Sequence, residues 1–154
     1  MRKKAIQNTS ISNSRARFDY DLKKEFIAGI ALTGAEVKSL RQGRAQMKGA
    51  FVTMQNGEAW LNNVQINPDN SNALHLPEEK QSRARKLLLK KRELEELSKA
   101  KDQSLTIVPI KILTKSRYIK VIISTAKGKK KTDKRQTIKT RETNINIRRH
   151  LKRN

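Results

Sequence analysis

The chain has 154 residues, a formal net charge of +22 from 36 lysines and arginines against 14 acids, and no cysteine. That positive excess is more than solubility requires and points to a polyanionic partner. Without thiols there are no disulfides, thiolate nucleophiles or zinc fingers, and apolar runs of four or five residues fall far short of the roughly 18 that span a bilayer. Nucleic acid therefore fits better than membrane, and one soluble domain with tails is the expected organisation.

Residues 1–12 read as a flexible leading segment. The first seventeen residues hold five basic groups and no acid, a composition shared with organellar transit peptides, although no apolar h-region follows as in a secretory signal. Phe18, Tyr20 and Leu22 alternate as in a strand with one inward face. Thr33 followed by Glu36 is a capping-box pattern, predicting a short helix through Val37 and Leu40 that Gly43 ends. Ala50 to Gln55 and Glu58 to Ile66 flank Asn56-Gly57, the strongest short hairpin signal, because both central residues of a type I′ turn need positive φ. Trp60, the sole tryptophan, then sits in a strand as a core or half-buried residue rather than a base-stacking platform.

Residues 67–82, with Pro68 and Pro77, read as a loop that leaves His75 partly exposed. His75 and His150 lie in different segments without metal-ligand spacing, so no metal site is expected. From Arg83 the pattern predicts an amphipathic helix with Leu87, Leu94 and Leu97 on one stripe. Its basic start opposes the helix dipole, which suggests that Arg83, Arg85 and Lys86 serve a partner. Leu105 to Leu113 and Tyr118 to Thr125 form a second hairpin, with Pro109 at an edge or bulge. These elements predict a mainly β fold with flanking helices, a small antiparallel OB-like barrel over residues 13–126. Residues 127–154 hold twelve basic and two acidic residues. Their apolar strip is too narrow to dock on a core, so this tail is expected to be disordered alone and helical against RNA.

Several motifs carry a resemblance. Asn13-Ser-Arg-Ala-Arg-Phe-Asp-Tyr20, Leu32-Thr-Gly-Ala-Glu-Val-Lys-Ser-Leu-Arg41, Gly57-Glu-Ala-Trp-Leu61, Arg83-Ala-Arg-Lys-Leu-Leu-Leu89, Ala126-Lys-Gly-Lys and Asp133-Lys-Arg135 occur in this order. Together they resemble the small protein B, or SsrA-binding, family over roughly residues 13–145. The resemblance implies an OB-type body that binds the tRNA-like domain of transfer-messenger RNA in place of an anticodon arm. It also implies a tail that becomes helical in the vacant mRNA channel of a stalled ribosome. Matching positions make Asn13, Leu88, Lys127, Gly128 and Lys129 RNA-binding candidates. The basic residues within the same motifs, Arg15, Arg17, Lys38, Arg41, Arg83, Arg85 and Lys86, join them. Asp133, Lys134 and Arg135 match the tail motif, and a helical tail adds Lys139 and Arg141 to the ribosome-facing set. Two positions depart from the family pattern: Ile27, where a glutamate supporting RNA binding is usual, and Thr132, where histidine is frequent.

The implied protein is a cytoplasmic, monomeric non-enzyme with no cofactor, membrane or small-molecule substrate. Two other readings stay open on the residues alone. A basic structural ribosomal protein or general single-strand binder would satisfy the charge, and a nuclease could draw on Asp19, Asp21 or Asp133.

Overall fold

The computed structural model describes residues 10–68 and 70–151, apart from the side chains at 70–72 and 150. In chain order the elements are β1 (Ile11–Ser12), α1 (Ser14–Asp19), β2 (Tyr20–Ile30), α2 (Gly34–Arg41), β3 (Ala45–Gln46), β4 (Phe51–Gln55) and β5 (Glu58–Asn62). After β6 (Gln65–Ile66) and a 3-10 turn (Asn70–His75) come α3 (Glu78–Gln81), β7 (Arg85–Leu88), α4 (Lys91–Asp102), β8 (Thr106–Leu113), β9 (Lys120–Gly128) and α5 (Lys131–Leu151).

Antiparallel pairing runs β8–β4–β5–β7–β2–β9 and returns from β9 to β8. Six strands thus trace a closed ring, joined most narrowly at Val52 opposite Ile107. Alternation sends Phe26 and Ala28 of β2, Leu61 of β5, Leu87 of β7, Ile112 of β8 and Val121 and Ile123 of β9 inward, where Leu40 of α2 and Leu97 of α4 pack with them. This is the expected mainly antiparallel β architecture with flanking helices.

Local chemistry is kept where it was plain. Asn56 and Gly57 have φ of 50° and 74°, and the hairpin they join sets Thr53 opposite Trp60, which is half-buried. Thr33 Oγ1 accepts from Glu36 N–H at 3.4 Å, and Glu36 Oε2 accepts from Thr33 N–H at 2.8 Å. That reciprocal cap starts α2, and Gly43 follows its end at φ 73°. Pro109 lies at a register shift between β8 and β9.

Four expectations need correction. Ile11 and Ser12, assigned to a flexible segment, form β1 against Ile112 and Lys111, because that stretch of β8 offers an edge β4 does not reach. Phe18 belongs to α1, not to a strand, and the strand begins at Tyr20. Residues 85–88 are a strand, not the start of a helix: Arg85 and Leu87 point inward while Lys86 and Leu88 point out. The inward residue is charged, so the period-2 pattern was hidden, and helix α4 starts only after Lys90, whose N–H is capped by Glu93 at 2.8 Å. The body also extends past residue 126, since β9 continues through Gly128.

Candidate nucleic-acid interface

Asn13 is 8% exposed and spends its polar groups inside the protein. Its N–H donates to Ile110 O at 2.8 Å, Nδ2 donates to Pro109 O at 3.0 Å, and Oδ1 accepts from Ala16 N–H at 3.3 Å. It caps α1 and ties that helix to the bulge in β8. Any effect of Asn13 on RNA therefore passes through the placement of Arg15 and Arg17, which are exposed on α1. Asn13→Ala is expected to cost about 1–2 kcal/mol, the value of a lost cap with a buried carbonyl left unpaired. Urea unfolding checks this, and a variant as stable as the parent contradicts it.

The end of the β2–β9 ladder gathers residues from both ends of the chain. Tyr20 lies opposite Gly128 and Asp21 opposite Lys127. Lys129 N–H donates to Asp19 O at 2.9 Å, and its Nζ donates to Arg17 O at 3.1 Å. Lys134 Nζ forms an ion pair with Asp19 Oδ1 at 2.9 Å. Arg15, Arg17, Lys127 and Lys129 thus surround one junction of α1, β9 and α5. Asp21 pairs with Lys23 at 2.6 Å, and that hydrogen bond with the lysine's charge holds its carboxyl below the ordinary range.

A second group lies at the other end of the same ladder. Gly29 sits between Leu88 on β7 and Lys120 on β9, nine residues from Tyr20 and so about 30 Å along the strand at 3.3 Å per residue. A Cβ at Gly29 would stand 3.2 Å from Leu88 Cβ, so the smallest residue lets β7 lie flush there. Leu88 is exposed, and Tyr118 and Ile27 are exposed beside this region. Arg41, at the end of α2, donates to Arg117 O at 3.1 Å, and the Arg117 guanidinium lies 5.5 Å from the Tyr118 ring centre. Lys38 is also exposed on α2. The sequence does not single out Arg117, Tyr118 and Lys120, the first reading as the end of a hairpin turn and the other two as the start of a strand; the available signal is an aromatic next to a cation where the two meet. Ile27, opposite Ile122, presents apolar surface where the resemblance leads one to expect a carboxylate.

Arg85 is corrected: it is fully buried and cannot face RNA. Its Nε donates to Glu36 Oε1 at 2.8 Å, Nη1 to Val64 O at 2.8 Å and Nη2 to Gln81 O at 2.9 Å. Burial pulls its pKa down and the Glu36 charge opposes that. Arg83, partly exposed, makes two bonds to the same carboxylate, at 2.9 and 2.6 Å. Lys86, half-buried on the outer face of β7, pairs with Glu58. None of the three stands at a helix start, so the dipole argument for a partner falls.

Along α5 the described side chains are exposed except Lys134 and Thr137, which are half-buried. Asp133 Oδ2 accepts from Lys130 N–H at 3.3 Å and caps the first turn. Arg135, Lys139 and Arg141 are exposed, as are Ile138 and Ile145. Thr137, Thr140 and Thr143 each donate to the carbonyl four residues back, a bond that slightly weakens a helix. The carboxylates considered for a nuclease are dispersed among a cation pair (Asp19), a second pair (Asp21) and a helix cap (Asp133). Among the described residues no three His, Cys, Asp or Glu side chains gather as a metal site would need. His75 is exposed, whereas the His150 side chain and residues Arg2, Lys3, Lys4, Lys152 and Arg153 lie outside what is described. No described helix is long and apolar enough to cross a membrane.

Comparison with known proteins bears on this arrangement. The chain is similar to the SsrA-binding protein of Streptococcus mutans serotype c, 43% identical over 97% of this chain and 96% of that one. It is 48% identical to the SsrA-binding protein of Saccharophagus degradans, over 97% and 94% of the two chains. A chain in a solved structure described as "tmRNA-SmpB: a journey to the center of the bacterial ribosome" superposes with a TM-score of 0.65. That chain is 42% identical, and the match covers 79% of this chain and 85% of that one. The model of the SmpB protein family matches residues 10–153, which takes in both ends of the β2–β9 ladder and all of α5, and the chain belongs to that family.

Proposed function

We propose that the protein binds the tRNA-like domain of transfer-messenger RNA with its barrel body and delivers that RNA to stalled ribosomes for trans-translation. The observation that carries the reading is family membership over almost the whole chain, together with likeness to a chain in a tmRNA–SmpB structure on the bacterial ribosome. Within the body, the contacts fall to the two groups on the β2–β9 ladder. Arg15, Arg17, Lys127, Gly128 and Lys129 serve one end, placed by Asn13. Lys38, Arg41 and Leu88 serve the other, with Arg117 and Lys120, while Arg83 lies just before β7 and Lys86 on its outer face. Cations at two separated places suit a folded RNA that is read by shape, whereas a general single-strand binder tracks the backbone along one groove.

Helix α5 is the ribosome-facing part. Its apolar surface is too small to hold its full length against the body, so RNA phosphates complete its ordering in the vacant mRNA channel through Arg135, Lys139 and Arg141, with Asp133 capping its first turn. The protein adds no chemistry of its own in this reading; it positions one RNA on another, in the cytoplasm where ribosomes work.

The test is a competition between the tRNA-like domain and ordinary tRNA across a salt series. The tRNA-like domain should win, with a slope of log K on log salt of roughly −4 to −5 if about six phosphates are neutralised. Lys129→Ala should make the slope shallower by up to about one unit. Equal affinity for both RNAs would reassign the protein to general RNA binding.

A further inference from the structure

We infer that Asp19 is a positioning residue that aims α5, and that Lys134 acts by pairing with it rather than by touching ribosomal RNA. This rests on the reading of α5 as the ribosome-facing helix. The three consecutive residues Asp133, Lys134 and Arg135 point three ways, because successive side chains on a helix are set about 100° apart. Asp133 turns back to cap Lys130 N–H at 3.3 Å. Lys134 turns to the body and meets Asp19 at 2.9 Å, both side chains being about one-third exposed. Arg135 is left facing solvent. The motif therefore divides into a cap, an anchor and a contact.

The anchor is one of several ties at the same corner. The backbone of Asp19 accepts from Lys129 N–H at 2.9 Å, and Lys129 Nζ holds Arg17 O at 3.1 Å. These bonds hold the chain as it leaves β9, but they precede α5 and leave the helix free to swivel about residues 129–131. Lys134 is one turn further on, so its pair with Asp19 fixes the direction in which the helix departs. Direction matters because α5 runs 21 residues, about 30 Å at 1.5 Å per residue. A small error of angle at the first turn then becomes a displacement of many ångströms at its far end. Asp19 lies in α1, whose position Asn13 sets, so the tail is aimed from the same element that presents Arg15 and Arg17.

The decisive experiment is a charge exchange in the full-length protein, read by peptide tagging on ribosomes stalled at a truncated message. Asp19→Lys and Lys134→Asp should each reduce tagging by about tenfold or more, since each sets like charges face to face. The double variant Asp19→Lys/Lys134→Asp should recover to within about threefold of the parent, because the pair is restored with its sign reversed. A double variant no better than the worse single one overturns the inference and returns Lys134 to RNA contact.

A second measurement covers the case in which Lys at position 19 disturbs α1. The chain has no native cysteine, so spin labels can be placed at Gln55→Cys on the body and Thr143→Cys on α5. In the ribosome-free complex with the tRNA-like domain, Asp19→Asn should broaden the distance distribution between them without changing RNA affinity. An unchanged distribution also overturns the anchor. Failure of the parent protein to tag at all would instead strike the proposed function.

Discussion

Replacing Glu36 by alanine is expected to lower the free energy of unfolding by about 3–5 kcal/mol, the range for removing one partner of a buried ion pair. Against a typical total of about 5–15 kcal/mol this is among the largest single effects open to the fold. The carboxylate is fully buried and accepts four hydrogen bonds from three groups: one from Arg85 Nε, two from the Arg83 guanidinium and one from the N–H of Thr33. Alanine would leave Arg85 charged, buried and facing only carbonyls, and would remove half of the α2 capping box. Urea unfolding at neutral pH measures the loss, and a value below about 1 kcal/mol would mean the arginines find other partners.

The same site sets an acid dependence. Burial alone would raise the Glu36 pKa, but the hydrogen bond from Arg83, the Thr33 N–H and the charge of Arg85 outweigh it and hold the carboxyl below its ordinary value of 4.5. A carboxylate more acidic in the folded state contributes stability that is present above its unfolded pKa and lost as pH falls through the folded one. In the parent protein, stability should therefore decline below about pH 4.5 as this group protonates. Glu36→Gln should lack that part of the decline.

Proline at Ile138 is expected to reduce tagging by about a hundredfold while leaving binding of the tRNA-like domain within about twofold, the former corresponding to a helix-interior cost of about 3 kcal/mol. Ile138 is exposed at the start of the third turn of α5, so the substitution removes no core contact, and its effect is confined to helix geometry. Parallel assays of tagging on a truncated message and of RNA affinity make the comparison. Normal tagging would refute a helical tail in the channel, and loss of both activities would make α5 part of the RNA-binding body.

What the sequence disclosed follows from range. The turn at Asn56-Gly57, the Thr33–Glu36 cap and the role of Gly43 depend on residues within a few positions of each other, and local chemistry decides them. Strand β7 was misread because its inward position is an arginine, whose acceptors, Glu36 and the carbonyls of Val64 and Gln81, become visible only once the fold brings them close. Helix α1 was missed for a related reason: Asn13 is held by carbonyls of β8 nearly a hundred residues away. The individual site residues were legible as basic or motif positions. Their grouping was not, since pairing Tyr20 with Gly128 and Gly29 with both Leu88 and Lys120 is a property of strand register.

That register also governs how the protein is made. Strand β2 is the first long strand to leave the ribosome, yet its main partner β9 is the last strand synthesised. Contacts so distant in sequence pay their loop-closure entropy before any reward, which places folding toward the slow end for a small domain. During synthesis the apolar face of β2 must wait, kept in solution by the strong charge around it. The ring therefore closes only once β9 has emerged, and the ties of Lys129 and Lys134 to Asp19 can form only with or after that closure.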